Sequence, residues 1–239
     1  DQPPMRAAPP ISDLVAGSYA AMGILAALVR RARTGQGEEV TTALTDSMTS
    51  MLAFLAANYF ATGKLPLRTG NDHALASPYG LFEAADGQVA IAPSNDTFYF
   101  KLIDALELGH LRDRPEFQTN ALRFENRAHI NAELNAKIKQ KPIAHWIARL
   151  NEAGVPCGRV LNLGEVFEDP QTRHQQMRLT IEHPTHGAMD VLGFPIKFTD
   201  EPCVIHRPPP DLGADNAVIL QEIGLTPEAI ADLSKRKII

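Results

Sequence analysis

The chain has 239 residues, 44% hydrophobic and 21% charged, with a formal net charge of -5. That length supports one large domain or two modest ones, and the composition is that of an ordinary globular protein. The acidic balance leaves no basic footprint for nucleic acid. Two cysteines, Cys157 and Cys203, exclude a disulfide scaffold and suit a reducing, cytoplasmic setting.

Pro3, Pro4, Pro9 and Pro10 predict an extended linker at the start, which, without a starting Met or an apolar core, does not read as a signal peptide. Leu14 to Val29 carries no charge and reads as a buried helix. Its 16 residues fall short of the roughly 20 that a membrane span needs, so no membrane partner is expected. Ser12 or Asp13 is placed to cap it, Arg30, Arg31 and Arg33 suit its C-terminal dipole, and Gly35 supplies the stop. Glu38 to Leu44, with its β-branched residues, predicts a strand, and Asp46 to Thr62 a second apolar helix. Helix, strand and helix in that order point to an α/β layer.

The pattern dissolves between Gly63 and Pro78, which predicts a linker or binding loop and a domain boundary. Asp86-Gly87 between Tyr79–Ala84 and Gln88–Ala92 predicts a hairpin. Helices are expected near Asp96–Leu106, Ala121–Gln140 and Ile143–Ala153. The lone Trp146 lies on the last with Ile143, Ile147 and Leu150 at helical spacing. Pro156 to Leu161 predicts a strand, and Gly164 to Met177 a helix broken at Pro170. A second hairpin is expected from Leu179–His183 and Ala188–Leu192. A proline strap at Arg207-Pro208-Pro209-Pro210 then leads to helices over Gly213–Ile223 and Pro227–Lys235.

Asp13 heads the uncharged run, so a partly desolvated carboxylate at a helix start is expected there, as a cap or as a nucleophile. Periodicity does not decide between them. The eight histidines show no metal-ligand spacing; His183 and His186 share a turn but read as solvated, and no metal is expected. Neither a GxSxG motif, a GxGxxG motif nor a phosphate loop is present. Cys157 reads as core. The polar run Arg68-Thr69-Gly70-Asn71-Asp72-His73, with a glycine that can approach a ligand closely, is a linker or a binding loop.

Several segments together resemble the class III CoA-transferases, a family that also contains carnitine CoA-transferase-like proteins and α-methylacyl-CoA racemases. They are Asp13 with Gly17 and the helix from Ala21 to Leu28, Arg33-Thr34-Gly35-Gln36-Gly37 with Val40, and Thr62-Gly63. Arg68-Thr69-Gly70-Asn71 with His73, Pro78-Tyr79 and Ala85-Asp86-Gly87 follow. Ala153-Gly154-Val155-Pro156, Glu165-Val166, Asp169-Pro170, Pro195 and Leu212-Gly213 complete the match in order.

The resemblance implies that Asp13 is the nucleophile. Its carboxylate would attack an acyl-CoA thioester to give a mixed anhydride and CoA thiolate, which returns to form an aspartyl-CoA thioester. An acceptor carboxylate then reverses the sequence and leaves as its CoA ester. The resemblance also places Leu44 against CoA and Gly70, Asn71 and His73 at the active site. It implies coenzyme A esters and small carboxylic acids as substrates, no permanently bound cofactor, and a homodimer. Members of this family begin with a nucleotide-binding-like half, and this chain resembles the portion after it.

The fold expected is therefore α/β, with a partial large domain over residues 1–65, a smaller α+β domain over 66–190, and a strap and helices over 191–239 that return to the large domain. A racemase-like enzyme is the alternative activity. It would pair the aspartate with an upstream histidine and an acidic residue near Ile91-Ala92-Pro93-Ser94-Asn95, where none stands before Asp96. A catalytically silent chain that only binds or dimerises is the alternative of another class.

Overall fold

The computed structural model describes residues 5–239. The prolines at positions 3 and 4 of the expected linker lie outside that range. The described residues form two compact units, the first ending at Gly158 and the second covering residues 159–239, with mixed helix and strand content.

The first unit opens with α1 (Ile11–Thr34), which ends as expected on Gly35 in the left-handed conformation, its N–H donating to the Arg31 carbonyl. The start differs from expectation. Neither Ser12 nor Asp13 caps the helix; Pro10, with φ preset near the helical value, precedes it, and the Leu14 N–H already donates to the Pro10 carbonyl. Asp13 is thus the third residue of the helix.

The expected burial of α1 is also corrected. Ala16 is its one buried residue, while Leu25 and Val29 are each 62% exposed. The chain covers only one side of this helix. Gly23 faces Val40, whose Cγ1 would lie 2.7 Å from an added Cβ, and the Tyr19 hydroxyl accepts from Ser50 Oγ at 3.0 Å. With 24 residues, α1 is also long and apolar enough to span a bilayer by length and composition.

No strand forms over residues 38–44, because nothing described pairs with that segment. The second apolar helix is two, α2 (Leu44–Ser50) and α3 (Ala53–Thr62). Ser47, Thr49 and Ser50 each donate back to a carbonyl three or four residues earlier, and Ala53 takes a positive φ of 44°. Hydroxyls that bond their own backbone weaken helix continuity, and the left-handed residue breaks it.

After the loop comes the predicted hairpin, β1 (Gly80–Ala84) and β2 (Gly87–Ile91), antiparallel with Phe82 opposite Val89. A short β3 (Cys157–Arg159) lies beside β2. α4 (Asp96–Ala105), capped by Asn95, and α7 (Ile143–Glu152) pack with this sheet. The expected long helix over 121–140 is broken at Asn126 into α5 (Asn120–Glu125) and α6 (Arg127–Ile138). The Asn126 amide donates to the Leu122 carbonyl, competing for the helical ladder. Phe82, Ile91, Leu102, Ile130, Leu134 and Trp146 meet in one core, and Trp146 Nε1–H donates to the Ile138 carbonyl at 2.7 Å.

The second unit holds α8 (Leu163–Glu168) and α9 (Pro170–His174), split at Pro170 as expected, with Asp169 capping α9. The hairpin of β4 (Arg178–His183) and β5 (Gly187–Leu192) pairs Thr180 with Asp190. The closing helices are α10 (Asn216–Glu222) and α11 (Pro227–Lys235), the latter capped by Thr226.

Candidate active site

Asp13 sits in the first turn of α1, where backbone N–H groups without helical partners and the positive end of the dipole favour a carboxylate. Ser12 Oγ donates to its Oδ2 at 2.8 Å. The partly desolvated carboxylate expected there is corrected: Asp13 is exposed, because the neighbouring segments cover the Ala16 side of the helix and not its first turn. Leu44 opens α2 rather than ending a strand, and the residue is 51% exposed.

The loop residues come together in a built turn. Gly70 takes a φ of 63°, a conformation open to glycine, and the turn closes with the Asp72 N–H donating to the Thr69 carbonyl at 3.1 Å. Asn71 is exposed at its tip. His73 stacks between two rings, Tyr79 at 4.7 Å and Phe54 of α3 at 5.3 Å. Its Nδ1 accepts from the Leu75 and Ala76 N–H groups, at 3.1 and 3.0 Å. Through Phe54 the structure joins this loop to the α2–α3 segment. Among the described residues, no hydrogen bond joins Asp13 to the loop.

A row of side chains on α5 and α6 holds the turn from behind, and sequence reasoning missed all four. Asn120 donates to the Leu75 carbonyl at 2.9 Å and accepts from the Ser77 N–H at 3.0 Å. Arg123, 1% exposed, donates Nε–H to the Ser77 carbonyl and Nη1–H to the Phe117 carbonyl, each at 2.9 Å. It also pairs with Asp96 and lies over the Tyr99 ring at 4.1 Å. Arg127 donates to the His73 carbonyl at 2.8 Å, and Asn131 to Asp72 Oδ2 at 3.1 Å. Burial pushes the Asp72 carboxyl above its usual range, against the opposing pull of Arg127 and the Asn131 bond. Gly80 makes room for this arrangement: a Cβ there would fall 2.1 Å from Asp72 Oδ1. Asn120 and Arg123 lie three apart on α5 and Arg127 and Asn131 four apart on α6, but nothing in that spacing names their partners in the loop.

The expectation of a solvated His183–His186 pair is corrected in the second unit. His183 is buried; its Nε2 bonds the Pro209 carbonyl at 2.9 Å, and its Nδ1 accepts from the Thr185 and His186 N–H groups. His186 and Thr185 both bond Asp211, at 2.8 Å each. Ligand atoms of His183, His186 and Asp211 lie within 4.8 Å of one another, but His183 could ligate a metal only by giving up one of these bonds. The group ties the hairpin turn to the proline strap.

The chain matches the model of CoA-transferase family III over residues 1–216. It is 31% identical over 220 residues to human (Homo sapiens) succinyl-CoA:glutarate CoA-transferase, covering 92% of this chain and 50% of that protein. It is 35% identical over 201 residues to succinyl-CoA:mesaconate CoA-transferase of Haloarcula marismortui, covering 84% of this chain and 50% of the relative. Among solved structures, a CaiB/BaiF family protein from Brucella suis matches with a TM-score of 0.72 and 35% identity, over 93% of this chain and 58% of that one. The chain belongs to CoA-transferase family III, a family of enzymes that move CoA between acids. It spans about half the length of the curated relatives it matches.

Proposed function

We propose that the chain carries the nucleophile-bearing portion of an enzyme that transfers CoA between small dicarboxylic acids. The observation that carries this reading is the family match over residues 1–216, together with relatives named for succinyl, glutarate and mesaconate transfer. Asp13 is the nucleophile: its carboxylate bonds the thioester carbonyl carbon and CoA leaves as thiolate. The thiolate attacks the aspartyl carbonyl of the anhydride and expels the donor acid, leaving aspartyl-CoA. The acceptor carboxylate displaces CoA thiolate again, and the thiolate takes the acceptor acyl group, returning Asp13 as a free carboxylate. Ser12 and the start of α1 support the negative charge of that carboxylate. Leu44 lies against CoA, and Gly70, Asn71 and His73 border the reacting groups.

The exposed apolar sides of α1 and α3, with Phe60 81% exposed, support burial against further protein. We assign that protein to the remainder of a longer polypeptide and to the second subunit of a homodimer. Incubating the folded chain with succinyl-CoA and then hydroxylamine tests the reading. A hydroxamate on Asp13 supports it. A folded chain that gives none is catalytically silent and contradicts it.

A further inference from the structure

We propose that Asn120, Arg123, Arg127 and Asn131 are positioning residues: they lock the 72–77 turn so that His73 offers one preset donor, its Nε2–H, to a carboxylate or carbonyl oxygen of the acyl substrate. The proposal rests on the CoA-transfer reading above and names what its loop does.

The tautomer follows from the backbone. Two N–H groups aim at Nδ1, so that nitrogen must offer its lone pair, and the neutral ring carries its proton on Nε2. Stacking between Phe54 and Tyr79, with interplanar angles of 15° and 26°, holds the ring plane. Nε2 has no hydrogen-bond partner among the described residues, so the donor is left for a ligand. It is a neutral donor on a half-buried ring, which suits an oxygen lone pair and leaves the thioester unprotonated.

Arg127 is the most direct of the four. Its guanidinium binds the carbonyl of His73 itself and lies 3.9 Å from Asp72 Oδ2. Asn131 fixes the other side of Asp72, while Asn120 and Arg123 hold the carbonyls of Leu75 and Ser77, downstream of the ring. Every residue that donates to or accepts from the turn on this side therefore constrains where Nδ1 finds its two amides. A solvated linker has no need of two arginines and two asparagines at helical spacing.

Arg127→Gln and Arg127→Lys, measured beside the wild-type chain, test this. In Arg127→Gln the Leu75 and Ala76 amides should exchange with solvent about ten- to a hundredfold faster. The imidazole nitrogen chemical shifts of His73 should then report a mixture of tautomers. The kcat for succinyl-CoA transfer should fall about ten- to a hundredfold with KM for the CoA ester little changed, and Arg127→Lys should recover most of it. Unchanged exchange and an unchanged tautomer in Arg127→Gln overturn the positioning role, as does a fall in kcat without either. A wild-type chain that transfers no CoA sinks the functional reading instead, which the exchange and tautomer measurements do not depend on. Where Arg127→Gln fails to fold, Asn120→Ala removes two bonds to the same turn and is read by the same three measurements.

Discussion

Replacing Arg123 with leucine should be among the most damaging single changes in the first unit. The guanidinium is 1% exposed and makes two 2.9 Å bonds, to the carbonyls of Ser77 and Phe117. Leucine leaves both carbonyls without their donor in a site that water does not reach. A hydrogen bond to a charged group contributes about 1.5–3 kcal/mol, so the pair accounts for about 3–6 kcal/mol. The ion pair with Asp96 adds little to that sum, because the Asp96 side chain is 54% exposed and its charge is solvated once released. Arg112→Leu is the matched control. Its pair with Asp104 has both side chains exposed and should be worth less than about 1 kcal/mol. Urea unfolding, followed by the fluorescence of the buried Trp146, measures both, and a midpoint temperature lower by about 10 °C or more should accompany Arg123→Leu. A loss below about 1 kcal/mol for Arg123→Leu, or equal losses for the two variants, would refute the claim that the buried carbonyls set the cost.

Gly80→Ala would place a Cβ 2.1 Å from Asp72 Oδ1 and 3.1 Å from its Cα; forcing Asp72 aside should cost about 1–3 kcal/mol and speed exchange in the 72–77 turn, and an unaffected turn would contradict the contact. Gly193→Ala meets the Gln176 carbonyl oxygen at 2.0 Å, a backbone atom that cannot rotate away, so the second unit should lose stability by a similar amount in denaturant unfolding. The Asp190 carboxyl is held below its usual range by the Thr180 hydroxyl and Arg178, and that of Asp211 by His186 and Thr185. Their stabilisation is present above the ordinary value of 3.8 and is lost as pH falls through the lowered values; amide exchange of β4 and β5 should rise there, and Asp190→Asn should flatten that response. Asp72 has the opposite sign. Its raised pKa means that stability is lost as pH rises from 3.8 through the folded value, and Asp72→Asn should remove that slope from a stability profile against pH.

Local chemistry was the legible part of this chain. Gly35, Asp86-Gly87 and Pro170 each impose one backbone geometry, and the helix stop, the hairpin and the helix break stand where those residues put them. Trp146 and Leu150 likewise face the core that their spacing predicts. What failed depended on partners. The β-branched residues of 38–44 favour extension, but a strand needs a neighbour, and none pairs with them. The uncharged face of α1 predicts burial, yet burial is a property of what covers a helix, and this chain covers only the Ala16 side. In the candidate site, Asp13, Leu44, Gly70, Asn71 and His73 are named by the family resemblance and by no local pattern. The clamp on the loop was not: Asn120 and Arg127 lie 45 and 54 residues from their carbonyl partners, Leu75 and His73, and no local pattern joins such pairs.

The central claim, transfer of CoA through Asp13, is tested most directly by following oxygen. With an acceptor acid carrying heavy oxygen in its carboxylate, each turnover should leave one heavy oxygen on the Asp13 carboxylate, because the acceptor's bridging oxygen stays there when its acyl group departs with CoA. Mass spectrometry of the peptide holding Asp13 should find that label after turnover and lose it in later cycles with unlabelled acid. Turnover that leaves the Asp13 peptide unlabelled would show that the acyl group passes to CoA without bonding this carboxylate, and the account would be wrong.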